Sequence, residues 1–334
     1  MPEIRALRES ELEQHADLVF LSYSHERDLE PGSMLTHPDW WLRAIEHDPY
    51  YQPEQTRVMV LVGRLVSSAT CFPRPTYVSG PIARAACLGS VCTHPEYRRR
   101  GYLRQVLAEA VNWMTEAGFL WSFLYGVEAV YGGSGWRMLA QFDLTADLCV
   151  QEQYGQSLSA RPVDPEQDLP LLADLYEQHC SRLTGPTVRT RQYWRLRILS
   201  PRLRQDRRPA YWVLERGGAP VGYYAASNAS VVEIAWSDAP REVLAFVLRQ
   251  HPGQPVSFPC CTGELVSHLR ALSHVPSQQA LREHRGGLTL TESYQGLWRY
   301  LADPRGRFPQ VSDTESLLRF LREREYVMWP ADRA

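Results

Sequence analysis

Arg98, Arg99 and Arg100 stand in a row ahead of Gly101, inside the stretch SVCTHPEYRRRGYLRQVLAEAVNWM that runs from Ser90 to Met114. Cations gain most at a helix C-terminus, because the backbone dipole already leaves about half a positive charge at the N-terminus. Three arginines at a helix start are therefore placed for an anion brought from outside the helix. The amides of the first helical turn have no intrahelical partner and point outward. Arginine adds charge-assisted hydrogen bonds, which are stronger than neutral ones. Gly101 lets a bulky group come close to the backbone. A pyrophosphate suits this set of donors. Two other phosphate chemistries are excluded by residue type. All 36 basic residues are arginine, so no GxxxxGK loop exists, and no GxGxxG follows the first strand.

The elements that must hold these residues can be read from spacing. ARAACLGSVCT is a strand that ends just before Pro95, and Leu103, Val106, Leu107, Ala110, Val111 and Met114 recur at helical spacing to give one buried face. Upstream, Ile4 to Leu7 reads as a strand, followed by a helix opening at Ser10 with Glu13 as its capping-box partner. Thr36 to His47 reads as a second helix, and TRVMVLV and LVSSATCF as a hairpin around Gly63-Arg64. Downstream, FLWSFLYG is a strand, VEAVYGGSGWRML a short helix or loop, and Leu144 to Val150 a last strand. Gly155, Pro162 and Pro165 mark a linker. The plan then repeats: helices over 169–183 and 190–199, a hairpin AYWVLERGGAPVGYYAAS, a strand VVEIAW, a helix, a short strand and another helix. Where the first half has RRRGYL, the second has SDAPREVL. Asp238 is read there as an N-cap with Pro240 in the first turn, and its carboxylate would repel a phosphate.

Bulk properties narrow the function classes. With 334 residues, 44% apolar and 22% charged, the chain has room for two globular cores. A net charge of -2 and the lack of a basic, aromatic-interleaved surface speak against nucleic acid and anionic membrane as partners. The seven cysteines show no CxxC or other metal spacing, and the N-terminal MPEIRALRESELEQH has no apolar signal core. Free thiols in the cytoplasm are the expectation. No apolar run approaches the ~20 residues of a membrane span.

THPEYRRRGYLRQVL resembles motif A of the GCN5-related N-acetyltransferases (GNAT), in which Arg or Gln is followed after two residues by Gly and, one further on, by Gly or Ala. Arg98 and Gly101 fit; Leu103 departs, because the family puts a small residue there. The tandem-domain Eis-like branch, with its RRRG-type run, is the nearer likeness, and YGGSGW (Tyr131 to Trp136) is similar to that branch's Tyr, three residues, Gly, aromatic. The motifs cover the first 150 residues; the likeness beyond them is one of architecture. Eis-like proteins generally carry a third, sterol-carrier-like domain, for which this chain is too short.

The resemblance implies an α+β protein of two tandem GNAT-like domains, each a mixed, largely antiparallel sheet flanked by helices. The expected divisions are a catalytic domain over 1–152, a linker over 153–165, a degenerate domain over 166–302, and a C-terminal helix and tail over 303–334. It implies acetyl-CoA, with Val91, Cys92 and Thr93 pairing with pantetheine as a false strand and Arg98, Arg99, Arg100, Gly101, Tyr102 and Leu103 around the pyrophosphate. A backbone amide near Val91 would stabilise the oxyanion, and Tyr131 would serve the leaving thiolate. The acceptor is then a small-molecule or peptide primary amine. The base stays open: the central strand carries no carboxylate, and Glu26, Asp28, Glu30 and Glu128 are the acids within range of the fold's acceptor side. His94, before a proline, is structural. Tyr23, Trp40, Trp41, Tyr50 and Tyr51 line an acceptor pocket or pack the core. Two other function classes stay open, a non-catalytic acyl-CoA sensor and a scaffold whose two domains serve oligomerisation only, and the edges of a tandem fold leave room for a homodimer.

Overall fold

In the computed structural model of the protein, residues 2–24, 39–148, 150, 153–200, 209–258, 262–272 and 287–329 are described. The first half runs β1 (Glu3–Ala6), α1 (Leu12–Ser24), α2 (Trp40–Glu46), β2 (Thr56–Leu61), β3 (Arg64–Pro73), β4 (Thr76–Val78), β5 (Ile82–Ala83), β6 (Ala85–Thr93), α3 (Tyr102–Glu116), β7 (Trp121–Tyr125), α4 (Glu128–Tyr131) and β8 (Arg137–Asp147). The second runs β9 (Leu158–Pro162), α5 (Leu169–Cys180), β10 (Thr184–Thr187), α6 (Arg191–Tyr193), β11 (Ala210–Arg216), β12 (Ala219–Ser227), β13 (Ser230–Trp236), α7 (Pro240–Arg249), β14 (Val256–Phe258), α8 (Gly263–Leu272), β15 (Gly287–Tyr300) and α9 (Thr314–Glu323).

Twelve strands form one sheet in the order β1-β2-β3-β6-β7-β15-β8-β14-β13-β12-β11-β9. The two halves exchange strands in its middle. β15 from the second half lies between β7 and β8 of the first, pairing Trp298 with Phe123 on one side and Arg137 on the other. On its other edge β8 pairs Leu144 with Phe258 of β14. A small sheet, β10-β4-β5, ties the halves again, and the Tyr50 hydroxyl donates to the Val188 carbonyl at 2.9 Å. Beneath it Asp48 is buried between Arg74 at 2.5 Å and Arg197 at 3.5 Å. A buried carboxylate needs such partners to stay charged, and the arginines hold it below the usual carboxylate range against the opposing pull of burial.

Both faces of the first-half sheet are covered. Leu18, Val19, Trp41 and Ile45 of α1 and α2 pack with Leu317 and Leu321 of α9 on one side. Val106, Leu107, Ala110 and Met114 of α3 pack with Trp136 and Leu297 on the other. This is the single stripe that the helical spacing predicts.

Several sequence expectations shift. The first helix is capped by Glu11, whose carboxylate accepts from the Arg8 amide at 3.0 Å and from Arg5, so a short 3-10 turn (Glu9–Glu11) replaces the Ser10–Glu13 box. Only 40–46 of the expected 36–47 helix is described as helical, residues up to 38 lying outside the described set. The last strand of the first half begins at Arg137, well before Leu144, because β15 supplies a partner along its length. Leu158–Pro162, read as linker, is a strand paired with β11. The N-cap of α7 is Ala239 in a left-handed conformation (φ 49°), with Asp238 exposed one residue earlier. The acid at that helix start is Glu242, which accepts from the Gly155 amide at 2.5 Å.

Candidate functional site

β6 and β7 run parallel and pair only at Ala85–Trp121, Ala86–Ser122 and Cys87–Phe123; beyond Cys87 the ladder stops and the strands part. Next to this gap β6 is bulged. Its register with β3 goes from Thr70–Gly89 to Ser68–Cys92, so Ser90 and Val91 are set opposite the single residue Ala69, and Ser90 takes a positive φ of 47°. A non-glycine residue in that region is strained and persists where its surroundings hold it. The His94 amide bonds to the Val66 carbonyl at 2.9 Å, and strand alternation then turns the amides of Val91 and Thr93 away from β3 and into the gap.

Ser68 holds the bulge from below. Its fully buried hydroxyl lies 3.3 Å from the Ser90 carbonyl, 3.1 Å from Cys92 Sγ and 2.8 Å from His15 Nε2. His15, on α1, is also fully buried, and desolvation pushes its pKa down to about 3, so the ring is neutral. A neutral ring donating from Nε2 to Ser68 leaves the serine proton for the Ser90 carbonyl. Burial pushes the Cys92 thiol up to about 11, so it is inert as a nucleophile. The Tyr23 hydroxyl at the end of α1 donates to the Val91 carbonyl at 3.3 Å.

Past the end of β6, His94 is 6% exposed and accepts from Arg64 Nη2 at 2.7 Å through Nε2, so it is structural as expected. Arg98 turns inward and ties the loop down, Nε to the Thr93 carbonyl at 3.2 Å and Nη2 to the Ser22 carbonyl of α1 at 3.1 Å. Arg100 donates to the Glu96 carbonyl and lies over the Tyr97 ring. Arg99 is exposed, at φ 62°. Gly101 caps α3 at φ 77°, and a Cβ built on it would meet nothing within 4 Å. Among the described residues no carbonyl accepts from the amides of Gly101 to Arg104; the first bond of the helix runs from Gln105 to Gly101. Tyr102 and Leu103 pack their side chains toward the core, which leaves their amides at the surface of the turn.

The structure thus distributes the six expected residues into two kinds. The side chains of Arg98, Arg100, Tyr102 and Leu103 build the loop and its helix; Arg99, Gly101 and the bare amides face outward. These amides, the open space over Gly101, and a strand gap leading to them fit the pyrophosphate and pantetheine of a coenzyme A thioester.

Tyr131 closes α4 and is half-buried. Its ring lies on the end of β7: a Cβ at Gly126 would sit 2.7 Å from Tyr131 Cε2. Glu128, one turn earlier, is exposed. Glu26, Asp28 and Glu30 lie outside the described residues. Of the aromatic candidates, Trp41 and Tyr51 are core residues, Tyr50 bonds across to the second half, and Tyr23 touches the bulge. Sequence reasoning missed Ser68 and His15, whose only signal is a polar pair at buried positions of a strand and a helix.

Residues 3–139 match the sequence model of the acetyltransferase (GNAT) domain. Compared with curated proteins by sequence, the chain has no match. By fold it is similar to a probable N-acyltransferase of Enterococcus faecalis V583 (14% identity, 90% of this chain and 73% of that one, TM-score 0.66). It is also similar to Eis1 from Mycobacterium abscessus (16%, 90% and 74%, TM-score 0.60) and to Saccharomyces cerevisiae N-myristoyltransferase with bound myristoyl-CoA (11%, 93% and 82%, TM-score 0.52). Residues 3–139 are thus similar in sequence to the GNAT acetyltransferase domain, and the fold of the chain is similar to that of Eis1 and the Enterococcus protein. The chain is an N-acetyltransferase with acetyl-CoA as acyl donor.

Proposed function

We propose that the protein moves an acetyl group to a primary amine of a small molecule or peptide by direct attack of the amine on the thioester. The observation that carries this reading is the strained bulge at Ser90, set where β6 leaves β7 and above the bare amides of α3. Bound acetyl-CoA supplies an activated acyl group with a thiolate leaving group. The backbone of Val91 to Thr93 would pair with pantetheine, and Gly101 to Arg104, with Arg99, would hold the pyrophosphate. The Val91 amide, fixed by the bulge, would donate to the oxygen that gains negative charge.

Tyr131 is the group proposed at the sulfur. A thiol near pKa ~8.5 and a phenol near ~10 make complete proton transfer uphill by about 2 kcal/mol, so the phenol acts as a hydrogen-bond donor that releases its proton as the C–S bond breaks. Glu128, Glu26 and Glu30 are the carboxylates proposed to meet the amine. The four buried free thiols Cys71, Cys87, Cys92 and Cys180 favour the cytoplasm as the working compartment.

The test is thiol release from acetyl-CoA over a panel of primary amines. Tyr131→Phe is expected to lower kcat on the order of a hundredfold with CoA affinity unchanged. A loss of only a few-fold would remove Tyr131 from the reaction.

A further inference from the structure

The turn that follows Tyr131 closes on a single backbone bond of its own, from the Gly135 amide to the Gly132 carbonyl at 3.0 Å. α4 is a single turn, and the next four residues, Gly132-Gly133-Ser134-Gly135, include three glycines, one of them at φ 88°. Such a segment has little intrinsic preference for one conformation, so the position of Tyr131 depends on what grips the turn. Three contacts do so. The Tyr131 ring rests on Gly126 at one end. Arg137 Nη1 donates to the Gly132 carbonyl at 2.7 Å in the middle. At the far end, Arg299 Nη1 donates to the Ser134 carbonyl, and the guanidinium lies 5.3 Å from the centre of the fully buried Trp136 ring.

Arg299 belongs to β15, the strand that the second half of the chain inserts beside β7, where it pairs with Ser122. It shares a sheet face with Leu297, which packs against α3 and Trp136. Its guanidinium is half-buried, its Nε has no hydrogen-bond partner, and no carboxylate pairs with it among the described residues. Desolvation lowers its pKa accordingly. A cation kept in this way is costly unless the carbonyl and the indole face it meets matter. The fit is close on both sides, since a Cβ on Gly135 would come within 2.5 Å of Arg299 Nη1.

We infer that Arg299 is a positioning residue for the acetyl transfer: the second half of the chain acts on the reaction through this side chain, which anchors the glycine turn and so sets where Tyr131 presents its hydroxyl. The inference rests on the reading of Tyr131 as the group at the leaving thiolate.

The experiment has two readouts on the full chain. The first is hydrogen exchange of peptides covering 127–137 in Arg299→Met, which keeps an apolar stem over Trp136, and in Arg299→Lys, which keeps the charge. Faster exchange confined to 132–136 in the Met variant, partly reversed in Lys, is expected; wild-type protection there overturns the proposal whatever the kinetics show. The second is thiol release from acetyl-CoA with a pool of spermidine, lysine methyl ester and tyramine, read above the buffer blank. Arg299→Met should lower kcat on the order of tenfold, leave KM for acetyl-CoA within about twofold, and cost nothing further on a Tyr131→Phe background. An equal loss in both backgrounds, or none in either, overturns it. A Tyr131→Phe enzyme near the wild-type rate sinks the Tyr131 reading instead, and the exchange data then decide the anchoring by itself.

Discussion

Ser68 shows how much chemistry depends on one small side chain. The bulge at Ser90 is a strained arrangement, and the hydroxyl that meets its carbonyl is itself held by a neutral, buried His15. Ser68→Ala would leave the His15 donor and the Ser90 carbonyl without that partner in a dry site, at a cost of roughly 1–3 kcal/mol. The expected outcome is a lower thermal midpoint together with several-fold weaker CoA binding by calorimetry, because Val91 to Thr93 lose their fixed direction. An unchanged CoA affinity would mean that the bulge holds its shape unaided. Motif A was legible in the residues because an arginine run and a glycine at a helix start conflict with the helix dipole unless an anion is expected. The division of labour within it was not legible. That Arg98 turns inward while Arg99 faces out depends on the positive φ of Arg99 and on carbonyls of Thr93 and Ser22, and the second of these is distant in sequence.

Among the elements, α3 was readable from its apolar stripe, and the hairpins from alternating runs around turn residues. β15 was not read. Its sequence, GLTLTESYQGLWRY, mixes Thr, Glu, Gln and Gly, and it is a strand because β7 and β8 flank it on both sides. β4 and β10 are short and pair only with each other and with β5, across the two halves, which no local pattern announces. Two helices carry histidines that titrate far from their ordinary value. Desolvation brings His15 on α1 and His179 on α5 down to about 3, helped at His179 by Arg182. Both are neutral in the fold, while the unfolded chain takes up protons below about 6.5, so stability is complete above that pH and falls as the pH drops toward 3. Each contributes a slope on the order of 1 kcal/mol per pH unit. Thermal midpoints should fall steadily from pH 6.5 to 5, and His179→Phe should flatten the slope; a midpoint constant over that range would contradict the buried, neutral state of these rings.

For the whole molecule, the strand exchange makes the two halves one sheet. A chain ending at residue 152 would lack the strand between β7 and β8 and would expose both their edges, which favours aggregation over folding. Such a fragment is expected to be insoluble alone and to be recovered when 153–334 is co-expressed; a soluble fragment that binds CoA would contradict the account of β15 as part of the first half's core. The duplicated plan was legible as architecture, whereas the exchange was not, because sequence order places each strand with its own half. The unequal helix starts carry over to the molecule as a whole, with bare amides at α3 and the Glu242 carboxylate bonded to Gly155 at α7. One coenzyme per chain is therefore expected, and Arg99→Glu should weaken it about tenfold. The most direct measurement is a crystal structure with CoA. The account predicts a single CoA, its diphosphate within hydrogen-bond distance of the amides of Gly101 to Arg104 and its pantetheine in the gap beyond Cys87. A diphosphate bound at α7 instead, or CoA bound with those four amides uncontacted, would contradict it.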